Sequence, residues 1–138
     1  MAKILGLDLG NKTLGIAISD ELGFLARGLE TFRFEDRDFD SALTFIVQLI
    51  EQEHITEVAL GYPKNMDGTI GEQGTISEEF KAKLETLCPV KIILWDERLT
   101  SKMASNMMKD QKLKRQKRRN DIDKMAAVVI LQGYLDRR

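Results

Sequence analysis

The chain has 138 residues, room for one domain, and 43% of them are hydrophobic, enough for one core. A single cysteine, Cys88, excludes an internal disulfide, and a single histidine, His54, argues against His-based zinc sites and His-dependent triads. The net charge of −1 hides an asymmetry, because residues 1–70 hold 6 Lys/Arg against 12 Asp/Glu while residues 71–138 hold 15 against 10.

No apolar run approaches the roughly 20 residues of a membrane span. The N-terminus enters a strand pattern without a basic-then-apolar signal. A cytoplasmic protein with no membrane partner is expected. The positive excess sits in KLKRQKRR, Lys112 to Arg119, which points to a polyanion met at one place.

In chain order, two apolar runs flank Gly10-Asn11-Lys12 and predict a hairpin of strands Lys3–Leu9 and Thr13–Ser19. A third strand is expected over Arg27–Phe34. Asp36, Asp38 and Asp40 crowd a helix start, and Phe39, Leu43, Ile46 and Ile50 recur at helical spacing. Glu57 to Gly61 reads as a short strand, followed by a loop from Lys64 to Gly74. Thr75 with Glu78 fits a capping box for a helix that Pro89 closes. Val90 to Trp95 is a further strand. Thr100 or Ser101 can cap a helix carrying Met103, Ala104, Met107 and Met108. A last helix spans about Asp121–Leu135, with Ile122, Met125, Ala126, Val129 and Gly133 inward. The order βββαβαβαα predicts one α/β domain over 1–138: a mixed five-stranded sheet flanked by helices.

Three acids sit among apolar neighbours. Asp8 lies between Leu7 and Leu9, Glu97 follows the last strand, and Asp123 opens the last helix ahead of Ala126 and Ala127. Small residues there let the helix approach the sheet and bring Asp123 toward Asp8. Converging carboxylates repel one another unless hard divalent cations, Mg²⁺ or Mn²⁺, join them. Two ions about 4 Å apart can clamp a phosphodiester and activate water. Each acid also has a plainer reading. Asp8 can bond the turn amides, Glu97 can pair with Arg98, and Asp123 can match the helix dipole.

Lys112, Lys114, Arg115, Lys117, Arg118 and Arg119 read either as a solvated charged face or as phosphate contacts. No aromatic residue interleaves them, so little sequence preference is expected. Lys12, Arg98 and Lys64 are further phosphate candidates, and Asn65, Asp67 and Gly68 form a turn that borders the acids. His54 reads as a helix C-cap, Cys88 as a small buried residue, and Trp95 as packing at the sheet edge.

GLDLGNKTLGIAISD, GYPKNMDG, DERLTS and DKMAAVVILQGYL, in this order in a chain of this length, resemble the YqgF or RuvX-like family. Its members are Holliday junction resolvases or pre-16S rRNA nucleases with an RNase H-like fold. The resemblance covers nearly the whole chain. It implies three antiparallel and two parallel strands, and a metal site of Asp8, Glu97 and Asp123 holding one or two Mg²⁺ or Mn²⁺ ions. Asp121 competes with Asp123 for the third place. The implied activity is metal-dependent endonucleolytic cleavage of structured RNA in 16S rRNA maturation, with branched DNA as the alternative substrate, by a monomer or weak homodimer. Two other classes compete. A kinase or ATPase of the actin–hexokinase type would need a second Asp-x-Gly hairpin, and none is found. A non-cleaving nucleic-acid-binding module would not need acids beside phosphate.

Overall fold

The computed structural model describes residues 3–65, 67–96 and 115–138, with the backbone alone described over 115–123. Five strands and three helices are present among them: β1 (Lys3–Leu9), β2 (Thr13–Ser19), β3 (Ala26–Arg33), α1 (Phe39–Glu53), β4 (Ile55–Tyr62), α2 (Glu72–Leu87), β5 (Lys91–Asp96) and α3 (Arg115–Arg137). The strands form one sheet in the order β3-β2-β1-β4-β5. β1 pairs antiparallel with β2, and β2 with β3. β4 runs parallel to β1, and β5 to β4. This is the mixed sheet expected from the short hairpin connections and the two helical crossovers.

Side chains alternate between the two faces of a strand. On β1, Leu5, Leu7 and Leu9 join Leu14, Ile16 and Ile18 of β2 and Val58 and Leu60 of β4 in the main core. α1 closes that core with Leu43, Ile46 and Ile50, and α2 closes it with Ile76, Phe80 and Leu84. The opposite face is thinner. Ile4 and Ala17 meet Ala127, Leu131 and Leu135 of α3.

The helix ends show where local signals suffice. Asp38 caps α1, accepting from the Ser41 hydroxyl at 2.7 Å and its N–H at 3.4 Å. His54 ends α1 in the left-handed region, φ 56°, with its N–H on Ile50 O, as the cap reading required. The capping box at Thr75 does not form. α2 begins four residues earlier behind Gly71, and the Thr75 hydroxyl donates back to Gly71 O at 3.2 Å. Gly74, in the first turn, packs close to the preceding loop: a Cβ there would lie 2.9 Å from Pro63 O and 2.6 Å from Ile70 Cγ2.

α3 also starts earlier than Asp121, taking in Arg115 to Asn120. Arg, Gln and Lys are good helix formers, and nothing there breaks the helix. Its buried stripe is Ala126, Ala127, Ile130, Leu131 and Leu135. Met125, Val129 and Gly133, expected inward, are only half-buried. The helix expected around Met103 to Met108 and the side chain of Ile122 fall outside the described residues. No helix among the described residues is long and apolar enough to cross a membrane.

Candidate active site

Alternation along β1 puts Asp8 on the α3 face with Ile4 and Gly6, away from the leucines of the main core. Across the sheet Asp8 stands opposite Gly15, and Gly15 opposite Thr31. Asp8 is half-buried near the C-terminal end of β1. β4 and β5 end at the same edge, where Tyr62 pairs with Asp96. Parallel strands gather their C-terminal ends, and the loops that follow them, at one edge of the sheet.

α3 lies very close to β1 there. A Cβ on Gly6 would fall 2.6 Å from Leu131 Cβ and 2.8 Å from Ala127 O, so only glycine fits. The backbone of Asp123 lies in α3 one turn before Ala127. Among the described residues no three Asp, Glu, His or Cys side chains gather into a metal-holding group. Of the three predicted ligands, Asp8 alone has a described side chain. Glu97, which follows Asp96 in sequence, lies outside the described residues, as do Arg98, Lys112 and Lys114. Arg115, Lys117, Arg118, Arg119 and Asp121 lie on the α3 backbone, their side chains undescribed.

The turn after Asp8 is held by more than its own hairpin. Gly10 N–H donates to Thr13 O at 2.8 Å. Lys12 O accepts from Phe34 N–H at 2.9 Å, and Asn11 O from Arg37 N–H at 2.7 Å. Arg37 adopts φ 61° to make that contact, and its guanidinium pairs with Glu72. Gln73 donates to the Asn11 side chain at 2.8 Å. Lys12 itself is exposed. Sequence reasoning missed this clamp because nothing in FEDRDFD marks a left-handed arginine.

The loop after β4 is closed by its own polar side chains. Asp67 accepts from the Thr69 hydroxyl at 2.7 Å and from its N–H at 3.0 Å, and these bonds hold its carboxyl below the usual range. Asn65 bonds Thr69 in turn. Lys64 sits 5.7 Å from the centre of the Tyr62 ring. The Tyr62 hydroxyl donates to Glu78, which pushes its ionisation upward.

The chain is 51% identical over 134 residues to a protein of Bacillus subtilis provisionally named pre-16S rRNA nuclease, covering 97% of each chain. A relative from Halalkalibacterium halodurans with the same provisional name is 50% identical over 135 residues, covering 98% of this chain and 96% of its own. Among solved structures, Thermus thermophilus RuvC in complex with a Holliday junction superposes at a TM-score of 0.59 with 13% identity, over 99% of this chain and 96% of that one. The fowlpox virus resolvase bound to junction DNA superposes at 0.53 with 11% identity, over 98% and 97%. At these identities the structures establish the RNase H-like fold. The profile of the RuvX family, described as Holliday junction resolvase, matches residues 2–137, and the chain belongs to that family.

Proposed function

We propose that the protein is a divalent-metal-dependent endonuclease acting on structured RNA, with maturation of the pre-16S rRNA 5′ end as its reaction. The observation that carries this reading is the contact of Gly6 with Ala127 and Leu131. It brings the α3 backbone against β1 two residues from Asp8, with Asp123 one turn away. The sequence position of Glu97, directly after β5, supports it as the third acid. Ile92 and Leu94 of β5 belong to the main core, and Trp95 packs against Gly133 of α3. The names of the close relatives support RNA as the substrate. The family's description supports branched DNA as a second reading.

The donor set fits the proposed ions. Asp8, Glu97 and Asp123 offer carboxylate oxygens, the ligands that Mg²⁺ and Mn²⁺ prefer. When bound, such ions supply an activated water and neutralise charge on the phosphodiester. The chain's own part is to hold the three carboxylates together and to keep their backbone supports fixed through the Gly6 contact and the Arg37 clamp. Lys12 and Arg98 offer charge to the phosphates near the cut. Lys112, Lys114, Arg115, Lys117, Arg118 and Arg119 engage phosphates farther away.

Asp8→Asn tests this with little change in shape. With Mg²⁺ or Mn²⁺ and a structured precursor RNA, cleavage should fall at least about a hundredfold while fluorescence anisotropy shows binding retained. EDTA should abolish cleavage by the unaltered chain. Binding without metal-dependent cuts in either RNA or branched DNA would overturn the nuclease reading in favour of a binding module.

A further inference from the structure

A second feature lies on the α3 face, away from the acids. The β2–β3 loop exposes Leu22, Phe24 and Leu25 to 62%, 69% and 68%. Scattered surface hydrophobes are ordinary, but three together on one braced loop mark an interaction site. The bracing is extensive. Asp20 Oδ1 accepts from Phe24 N–H at 2.8 Å and from Leu25 N–H at 3.4 Å. Gln132 of α3 donates to Phe24 O at 2.8 Å and accepts from Ala26 N–H at 2.9 Å. Gly23 adopts φ 77°, a left-handed conformation that favours glycine, with the Arg138 guanidinium close by.

Cations lead from this tip back toward Asp8. Ala26, Gly28, Thr31 and Arg33 pair with Ser19, Ala17, Gly15 and Thr13, which puts them on the α3 face. Lys124 lays its stem over Gly28, its Cγ 2.8 Å from where a Cβ would stand. Arg33 is the next residue on this face beyond Thr31, which shares a cross-strand row with Gly15 and Asp8. Arg33, Lys124 and Arg138 form no ion pair among the described residues. Among the described residues, the acids at the tip end of the strip are Asp20, turned into its own loop, Asp136, bonded to Gln132, and the exposed Glu21. β3 spans about 23 Å, room for several nucleotides.

We propose that this strip, from Arg33 past Lys124 to Arg138, carries an unpaired strand of the nucleic-acid substrate away from the acids, and that Phe24 stacks on one of its bases. The proposal deepens the nuclease reading and rests on it for the identity of the ligand. Cations along one side and an exposed aromatic at the end are the two parts of a single-strand platform. A second copy of the chain fits less well. The β3 edge is broken by a bulge at Leu29 and carries exposed Arg27, Glu30 and Arg33, which oppose edge pairing.

The test uses the full chain, without divalent metal, and two fluorescein-labelled RNAs: a blunt stem-loop and the same stem-loop with a ten-nucleotide single-stranded tail. The tail should tighten binding. Phe24→Ala should weaken binding to the tailed RNA about tenfold and leave the blunt RNA unchanged, while Phe24→Trp restores it. The triple variant Arg33→Gln, Lys124→Gln, Arg138→Gln should reduce the salt slope on the tailed RNA by about 2. Equal affinities of Phe24→Ala and the parent chain for the tailed RNA would overturn the proposal. So would equal weakening on both RNAs, or sedimentation showing that Phe24→Ala turns a dimer into a monomer. The nuclease reading fails separately, through loss of metal-dependent cutting with tail binding intact.

Discussion

The two faces of the sheet are covered by different means. The α1/α2 face is thick and built from large side chains: Leu5, Leu7, Leu14, Ile16, Ile18 and Leu60 are fully buried there. The α3 face is lined by small residues, Gly6, Gly15, Ala17 and Gly28, and its helix brings Ala126 and Ala127. The first face gains stability from apolar area. The second gives up area so that a helix backbone can reach the sheet, and it is the face that carries Asp8. Polar bonds make up part of what it lacks. Gln132 ties α3 to the β2–β3 loop, and Tyr134 ties it to Glu57 of β4.

If this division holds, damage to the thick face should cost stability without touching chemistry. Leu7 is fully buried in the main core, and Leu7→Ala should lower unfolding free energy by about 2–5 kcal/mol. Cleavage per folded molecule should be unchanged at a temperature where the variant remains folded, with urea unfolding and single-turnover assays as paired readouts. Gly6→Ala should do the reverse. Its new methyl meets backbone at Ala127 and the Leu131 Cβ, neither of which can swing aside. The expected cost is about 1–3 kcal/mol, smaller than for Leu7→Ala, yet cleavage per folded molecule should fall at least tenfold. Equal losses of activity in the two variants would show that the faces do not divide the labour.

The thick face was the more legible in the sequence. Period-2 alternation in β1 and β2 and period-3.6 recurrence in α1 depend on local pattern, and both strands of the first hairpin, the start of α1 among Asp36, Asp38 and Asp40, and its end at His54 stand where the pattern puts them. The thin face was read less well. α3 was expected with Met125, Val129 and Gly133 inward, but its stripe is set by where Gly6 lets Ala127 and Leu131 dock, a contact more than a hundred residues distant along the chain. The start of α2 was missed because its N-cap, Gly71, offers no side chain to mark it. Asp8 stood out in the sequence as a carboxylate inside an apolar run, and β1 places it half-buried on the thin face. Arg37 did not stand out, because its conformation is imposed by the Asn11 carbonyl it serves.

The smallest effect concerns the polar seam that supplements the thin face. The Tyr134 hydroxyl donates to Glu57 at 2.5 Å, and burial together with that carboxylate pushes its ionisation up to about 12. A tyrosine whose folded value lies above its ordinary 10.0 contributes stability that is fully present below pH 10 and is lost as pH rises through about 12. Tyr134→Phe removes the bond and should cost about 1 kcal/mol at neutral pH. The gap between the parent chain and this variant should hold steady to pH 10 and then close toward pH 12, read from urea midpoints at pH 8, 10 and 11.5. Leu7→Ala, which removes no titrating group, should keep a constant offset across the same scan. A Tyr134→Phe gap that does not narrow above pH 10 would mean that Tyr134 ionises as freely in the folded chain as in the unfolded one. The polar seam of the thin face would then rest on Gln132 rather than on Tyr134.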